Sequence, residues 1–554
     1  MPVINIDVQD LIGLVGENVS METLTESIPM LGASIEEIDG NSMTVEFFPD
    51  RPDLYSVEGV ARALRAFLGI RPGPVEYETG DSGIEFIIDG SANRVRPYAA
   101  GGVVRGVSLN DTAIKSIMEI QEKLHITLGR KRKKVAIGIH DMKDIVPPFT
   151  YSAVEPESVR FVPLALDEEM NLREILERHP KGVDYAYVLE GEDVYPLITD
   201  SKGQVLSFPP IINGTLTSVT ENTKDIFLDV TGTDFRAVNA ALNIVAAALV
   251  ERGGRIETVA VKYRDFPDGG GEREFSLPDM SPREWTVGSD YVIGLIGPGI
   301  KKSDLVPALK AAGMGAELNG DEIKVKVPPY RQDIMHPIDI VEEVAIGYGY
   351  DRIEGTKPQA FTVGSETRTS ALSEKVRETM VGYGYMEVTT LTLSSPEIQF
   401  DSMRRKRDVP YAVTEIKNPI TEEHTCLRTD LTPSLFGILK KNRHRDLPQR
   451  IFEVGSVVRD HERRLHLAGL AIHAKAGFTE MKSLVISICR DMGLECEISA
   501  SDDPAFIRGR AASIAVDGEE IGLFGEYHPE VITNFDLGYP VIGFEMDLSY
   551  LLRM

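Results

Sequence analysis

The chain has only three cysteines in 554 residues, Cys426, Cys489 and Cys496, with no C-x-x-C pair and no even framework. That sets aside a disulfide-stapled scaffold and fits a reducing compartment. No uninterrupted apolar run approaches the ~18 residues needed to cross a bilayer. The opening MPVINIDVQDL has neither the basic start nor the apolar core of a secretory signal. A cytoplasmic protein without a membrane is expected. Positive charge is scarce too: 59 Lys and Arg against 86 Asp and Glu leave a net charge of -27. Phosphate neutralisation needs concentrated Lys and Arg, so a surface that grips nucleic acid over most of its area is excluded. A local basic patch, or a partner subunit that does the gripping, is not. No Ser/His/Asp or Cys/His constellation for nucleophilic catalysis can be read.

With 42% apolar and 26% charged residues, the composition is that of a globular protein. The length suggests three to five domains of about 100–200 residues each. The chain is organised around residues 327–353, VPPYRQDIMHPIDIVEEVAIGYGYDRI. Ile323, Val325 and Val327 alternate with Lys324 and Lys326 as in a half-buried strand, stopped by Pro328 and Pro329. Pro337 suits the first position of a helix, because its missing N–H would be unpaired there anyway. At about 100° per residue, Ile338, Ile340, Val341, Val344 and Ala345 share one arc, and Asp339, Glu342 and Glu343 the opposite one. Asp333 can fold back over the same helix start. Four acids gathered there repel by roughly 1 to 4 kcal/mol per close pair, while a helix N-terminus returns only about 0.3 to 1 kcal/mol per anion. The cluster is therefore splayed into water, raised in pKa, or bound to a hard cation. An oxygen-only donor set favours magnesium or calcium over zinc. The plainer alternative is a solvated acidic helix start.

The first sixty-odd residues look like a second copy of this segment. IGLVG at 12–16 repeats as IGLIG at 293–297, Leu24, Ile28 and Gly32 match Leu305, Leu309 and Gly313, and TVEFFPDRPDL runs alongside KVKVPPYRQDI. In that register Asp53 answers Asp333, but Gly59, Arg62 and Ala63 stand where Asp339, Glu342 and Glu343 stand later. The pattern is duplicated and the acid cluster is not, which points to a site. Two copies are a duplication of modules rather than a solenoid.

Four segments follow from these patterns: 1–75, the copy without acids; 85–262, an α+β domain; 273–355, the acid-bearing copy; and 360–554, a mostly antiparallel sheet with helices on one face. The first reads strand, helix, strand, helix. The second shows strands at YAAGGVVRGV, KVAIGIHD and AYVLEG, helices over 113–128 and 168–178, and a long apolar helix Phe235–Val250 capped by Asp234. It carries GRKRKK at 129–134, the densest basic run of the chain, which could meet phosphate or be a solvated loop. It also carries SFPPIING at 207–214, where FPP forces an extended path and an exposed bend, and DIFLDVTGTD at 225–234, a strand end running into a helix start.

Taken together, FFPDRPDLYSVEGVARAL, GIHDMKDIVPPFTYSAV, SFPPIING with DVTGTD, YRQDIMHPIDIVEEVAIGYGYDRI, and NPITEEHTCLRTDLTPSL with RIFEVGSVV resemble the β-subunit family of phenylalanine–tRNA ligases, in its shorter archaeal form. They lie across all four segments in the family's order. The resemblance implies an α+β multidomain chain: a duplicated small module, an editing domain, a B5-like module, and a class II synthetase-like domain that has lost its chemistry. It implies a magnesium site at Asp333, Asp339, Glu342 and Glu343, near the contact with an α subunit. It also implies an α2β2 assembly in which ATP, phenylalanine and the tRNA(Phe) end are handled by the α chain, with no catalytic residue for aminoacylation here. RIFEVGSVVRDHE keeps Arg459, but Glu462 is one place later than the usual Arg-x-Glu, and no Gly-x-Gly-x-x-Arg occurs near the C-terminus. Arg459 is therefore expected on the surface of a retained scaffold. The 85–262 segment resembles an editing domain that hydrolyses tyrosine wrongly joined to tRNA(Phe), with its pocket around Ser207, Asn213, Asp229 and Thr231 and water as the attacking group. Neither an inserted oligonucleotide-binding barrel nor a C-terminal anticodon module is visible. Without the resemblance, the residues alone describe a divalent-cation-binding scaffold for a protein partner with no enzymatic role, or a free-standing metal-dependent hydrolase.

Overall fold

Ile4 and Ile6 on one strand and Met43, Val45 and Phe47 on another are all buried on one side of a three-stranded sheet. The computed structural model describes residues 2–16, 19–357 and 362–553, so the expected boundary at residue 360 lies outside the described residues. The N-terminal elements are strand Val3–Asp7, helices Val8–Val15 and Met21–Met30, strands Ala33–Asp39 and Ser42–Phe47, and helix Val57–Phe67. That is one helix and one strand more than the sequence pattern suggested. Helix starts are fixed by side-chain caps, with Asp7 accepting from Asp10 N, Ser20 from Thr23 N and Ser56 from Gly59 N. The later segment has the same sequence of elements: Arg283–Gly288, Ser289–Ile296, Lys302–Ala311, Gly315–Asn319, Glu322–Val327 and Pro337–Tyr348. In both, the third strand lies between the first and second.

The two segments face each other. Arg51 donates to both oxygens of Asp53 (2.9 and 3.0 Å), and Arg331 does the same to Asp333. The Arg62 guanidinium lies 4.0 Å over the Tyr330 ring.

Between these segments lies a ten-stranded sheet. Its path runs Ile212–Asn213, Val205–Phe208, Tyr195–Thr199, Phe149–Val154, Gly80–Ile88, Arg255–Tyr263, Tyr98–Arg105, Asp225–Gly232, Val135–Asp141. Strand Arg273–Leu277, grouped with the acid-bearing segment on sequence, pairs instead with Arg255–Tyr263. AYVLEG is not a strand: residues Ala186–Val188 form a short 3-10 turn after helix Pro180–Tyr185, and the strand comes later at Tyr195–Thr199. Helix Phe235–Val250 forms as read, with Asp234 accepting from Ala237 N at 2.9 Å. Almost every side chain of it is buried.

The N-terminal segment is not a separate domain in packing terms, because its apolar side chains and those of the large sheet form one continuous core. Buried charge fastens the two. Arg252 donates to Glu58 (2.6 Å) and to both oxygens of Asp10 (2.7 and 2.6 Å), and Ser116 donates to Glu58 (2.7 Å). These carboxylates raise the Arg252 pKa against a desolvation that lowers it.

Residues Met1–Lys357 form one compact unit and Pro358–Met554 a second. The second unit is a seven-stranded sheet in the order Met386–Glu387, Gln449–Arg459, Glu462–Ile472, Val541–Asp547, Glu519–Tyr527, Phe506–Val516, Cys496–Ala500. Its first pair is parallel and the others antiparallel. Of MEVTTLTL only Met386–Glu387 and Leu393 are strand, the last of these opening the short strand Leu393–Ser394. Helices cover both faces rather than one. Arg368–Gly382 and Phe478–Asp491 pack on Phe452 and Leu467, while Thr432–Lys441 and Pro529–Asn534 pack on Ile451 and Leu470. Neighbouring residues on these strands alternate between the two cores, as pleating requires.

Replacing Arg252 with Met leaves Glu58 fully buried without its ion pair. Such a loss costs about 3–5 kcal/mol, so the denaturant midpoint of the full chain is expected to fall clearly. Adding Glu58→Gln should recover part of the loss.

Candidate functional site

A cavity of about 230 Å³ opens where the two ends of the ten-stranded sheet come together, lined by residues of Val205–Phe208 and Ile212–Asn213 from one end and of Val135–Asp141 from the other. Ser207 and Asn213 line it from directly opposed positions on neighbouring strands. Asp229 reaches it from strand Asp225–Gly232, which pairs with Val135–Asp141. Thr231, expected beside them, is not among the lining residues. It is fully buried, with its Oγ1 accepting from Arg96 Nε (3.1 Å) and its carbonyl from Arg96 Nη2 (2.9 Å). Burial pushes the Arg96 guanidinium down to about 10.

Asp229 does not stand alone. Its Oδ2 lies 2.6 Å from His140 Nε2, and His140 Nδ1 lies 2.7 Å from Thr217 Oγ1. Both ring nitrogens are thereby engaged, in a fully buried side chain. Gly138 makes this possible, because a Cβ there would sit 1.9 Å from Asp229 Oδ2 and 2.6 Å from His140 Nε2. Ser207 Oγ is buried with no hydrogen-bond partner. With both nitrogens of His140 taken, Ser207 has no base to activate it as a nucleophile.

The SFPPIING bend is buried, not exposed. Arg132 is the reason: its Nη1 donates to the carbonyls of Pro210 (3.1 Å) and Ile211 (2.8 Å) and its Nη2 to Glu122 (3.0 Å), holding the bend over the cavity. Glu122 is held well below the usual carboxylate range, first by its hydrogen bond with His125 and also by the Arg132 guanidinium. His125, buried under the helix Asp111–Ile126, accepts from Ile137 N at 2.9 Å, and desolvation pushes it down to about 4. His140, Thr217, Arg132, His125 and Glu122 were missed on sequence. The alternation of Gly138 and His140 in KVAIGIHD was the one available signal.

The acid cluster takes a different form from the expected one. Glu342 is exposed and Glu343 buried, so the two do not leave one face together, while Ile338 from the apolar arc is 42% exposed. Arg331, buried to 1% exposure, donates to both Asp333 oxygens and to both Glu343 oxygens. Asp339 accepts from Met335 N and His336 N, both at 2.7 Å, as part of a capping box. Among the described residues, no three His, Cys, Asp or Glu side chains stand together as a metal cage. The cluster is still short of positive charge, with one guanidinium against four carboxylates. Glu342 is pushed up by desolvation, then by Glu343, Asp50, Asp339 and Asp333.

In the second unit Arg459, expected on the surface, is half-buried and engaged. It donates to Asp430 Oδ1 (2.7 Å) and to the Thr429 carbonyl (3.0 Å), and lies over Tyr411 at 5.0 Å. Arg459 and Glu462 pair across a two-residue turn whose Asp460 and His461 take φ values of 55° and 63°. Such turns suit the twist of a tight hairpin.

Over 551 residues the chain is 47% identical to the phenylalanine–tRNA ligase β subunit of Methanococcoides burtonii, covering 99% of this chain and 100% of that one. The chain belongs to the phenylalanine–tRNA ligase β-subunit family. The corresponding subunit of Archaeoglobus fulgidus is 45% identical over 99% of this chain and 98% of its own. A crystal structure of an N-terminal fragment of the phenylalanyl-tRNA synthetase β subunit from Pyrococcus horikoshii has 37% identity and a TM-score of 0.60, covering 63% of this chain and 100% of the fragment. Three family descriptions match in turn: the B3/4 domain at 105–262, the tRNA synthetase B5 domain at 285–350, and the phenylalanyl tRNA synthetase beta chain CLM domain at 353–548. The cavity residues fall in the first match and the acid cluster in the second. Membership of this ligase family does not favour a scaffold without enzymatic role.

His125 is neutral in the fold and titrates at about 4 rather than near the model-peptide value of about 6.5. A depressed histidine favours folding above its unfolded pKa and loses that advantage as pH falls through the folded one. Stability is therefore expected to drop between about pH 6.5 and 4. His125→Gln, which keeps an acceptor for Ile137 N, should flatten that part of the profile in pH-dependent denaturation.

Proposed function

We propose that this chain is the β subunit of an α2β2 phenylalanine–tRNA ligase of the cytoplasm, and that its cavity hydrolyses tyrosine wrongly joined to tRNA(Phe). The observation that carries the reading is the cavity itself, placed within the B3/4 match and lined by Ser207, Asn213 and Asp229. A pocket shaped for an aromatic ring rejects an added hydroxyl poorly, by about 10² in comparable cases, so a second site must test the product. A void of about 150 Å³ already takes a benzene ring, and this one is larger. The orphaned Ser207 hydroxyl and the Asn213 amide offer polar partners that a tyrosyl group satisfies better than a phenylalanyl one. Asp229, oriented by His140, is the group placed to hold the attacking water or the substrate ammonium, and Thr231 anchors Arg96 behind it. No helix among the described residues is long and apolar enough to cross a membrane.

Attachment of phenylalanine with ATP belongs, in this reading, to the α subunit. We read the mostly antiparallel sheet of the second unit as class II-like, but Arg459 at the end of strand Gln449–Arg459 is committed to Asp430. The two-residue Asp460–His461 turn leaves no loop to lie over a nucleotide. We also read the N-terminal and acid-bearing segments as duplicated modules, on the strength of their identical element order and sheet order. A resident cation of the later module would be magnesium, and Asp333, Asp339, Glu342 and Glu343 would hold it once Arg331 gave up its bonds to Asp333 and Glu343. Oxygen donors and excess negative charge suit it, and it would neutralise a face turned to the α chain.

Asp229→Asn is expected to slow deacylation of tyrosyl-tRNA(Phe) by about 100-fold, the scale of a positioned acid–base group, and to spare aminoacylation. Equal loss of both would discredit the assignment. For the cation, calorimetric titration of the αβ assembly with magnesium should show a site that Glu342→Gln removes. Because Glu342 is raised, its charge opposes folding as pH climbs through its pKa. Glu342→Gln should therefore stabilise the assembly in chelator at neutral pH. Titration heat unchanged by this substitution would exclude these ligands.

A further inference from the structure

Residues 129–134, the densest run of positive charge in the chain, fold into neither an open loop nor a strand. Arg130, Lys131 and Arg132 take φ values of 47°, 53° and 66° in succession, a left-handed conformation that L side chains disfavour. The run is tied to the end of helix Asp111–Ile126 by Lys131 N to the Ile126 carbonyl (3.3 Å) and Arg132 N to the His125 carbonyl (3.0 Å), and Lys134 N closes it on the Gly129 carbonyl (2.8 Å). This winding sends Arg132 inward to the cavity and leaves Arg130, Lys131 and Lys133 exposed. Among the described residues, none of those three has an ion-pair partner.

Aromatic rings stand beside them. Tyr187, 40% exposed, donates to the Lys131 carbonyl at 2.9 Å, and the Lys133 ammonium lies 5.2 Å from its ring centre. Tyr185 lies 6.4 Å further on, covered by Arg132 at 4.2 Å. Arg132 and Lys181 both line the cavity, so cations and rings run without a break from its wall to the outer surface. Over residues 180–188, Asp184 alone carries negative charge.

A groove of cations interleaved with ring faces is what an unpaired polynucleotide strand needs: phosphates pair with the cations, and bases of any sequence stack on the rings. In a chain of net charge -27, this local reversal of sign selects a polyanion over an acidic or neutral protein. We propose that Arg130, Lys131, Lys133 and Tyr187 form a landing surface for the single-stranded 3′ end of an RNA whose terminal aminoacyl ester enters the cavity. This rests on the editing reading above and names the part of the substrate that the cavity does not touch.

The test uses the full-length chain assembled with its α subunit and two substrates, tyrosyl-tRNA(Phe) and 3′-O-tyrosyl-adenosine, which carries the same ester without the strand's phosphates. Arg130→Asn and Lys131→Asn keep residues that tolerate left-handed backbone, and Lys133→Gln completes the triple variant. It should raise KM for the tRNA about tenfold with kcat within twofold. The slope of log kcat/KM against log salt should become shallower by about 2, the release expected for three single-strand phosphate contacts. Tyr187→Leu should raise KM several-fold, and Tyr187→Phe, which keeps the ring, should restore it. All variants should hydrolyse the short ester at the wild-type rate. An unchanged tRNA KM and salt slope in the triple variant would overturn the proposal, as would parallel loss on the short ester, which would make the run a support of the cavity wall. Hydrolysis of neither ester by the wild-type assembly would remove the editing reading and this inference with it.

Discussion

Arg132 is the side chain on which the cavity depends. Its guanidinium joins the buried Pro–Pro bend to the helix bearing Glu122 and His125 and to the left-handed turn that supplies Arg132 itself. A buried guanidinium keeps its proton under all ordinary conditions, and its planar fork satisfies several acceptors at once. An apolar side chain in its place would leave two carbonyls and a carboxylate facing each other across a dry gap, at a cost of about 1–3 kcal/mol for each unmet group. The cavity is thus held open by charge rather than by shape alone.

The same device recurs wherever the first unit joins its parts. Arg252 fastens the N-terminal segment to the large sheet, Arg96 backs strand Asp225–Gly232 through Thr231, and Arg331 clasps Asp333 and Glu343. A chain poor in positive charge places these arginines inside, each against carboxylates or carbonyls. The densest exposed positive charge is left at residues 130–133. In the acid-bearing segment this reconciles two demands on one helix start. Arg331 lets Glu343 be buried, Asp339 closes the cap, and Glu342 is left exposed with its charge uncompensated.

Much of this was legible in the sequence, for identifiable reasons. Helix Phe235–Val250 and its Asp234 cap follow from a long apolar run with a short acid before it. The repeated IGLVG and IGLIG and the shared R-x-D correspond to matching elements and matching Arg–Asp forks. Ser207, Asn213 and Asp229 were placed together by the resemblance to an editing domain, and all three line the cavity, whereas Thr231, two places further along the same strand, is taken by Arg96. What could not be read depends on tertiary partners. AYVLEG has strand composition, yet the buried Gly182 brings helix Pro180–Tyr185 close against the preceding helix, and the chain turns there instead. FPP looks like an exposed bend because nothing local reveals the arginine that buries it. Arg459 looks like a leftover because its partner Asp430 lies 29 residues earlier in the chain. His140 escaped notice because a histidine inside an apolar strand carries no sign of the aspartate across the sheet.

The large sheet is entered on Gly80–Ile88, and Arg255–Tyr263, on which the chain returns before the edge strand Arg273–Leu277, runs beside it in the same direction. Everything between them, cavity included, is a cassette whose two ends share one seam. A cassette of this kind can be exchanged for a homologous one by cutting at a single place in space, leaving the flanking paired modules in contact through Arg62 and Tyr330. Chimeras joined along that seam are the natural unit for transplanting substrate preference between relatives, whereas exchanges that cut through the strands on either side would break the sheet at its centre.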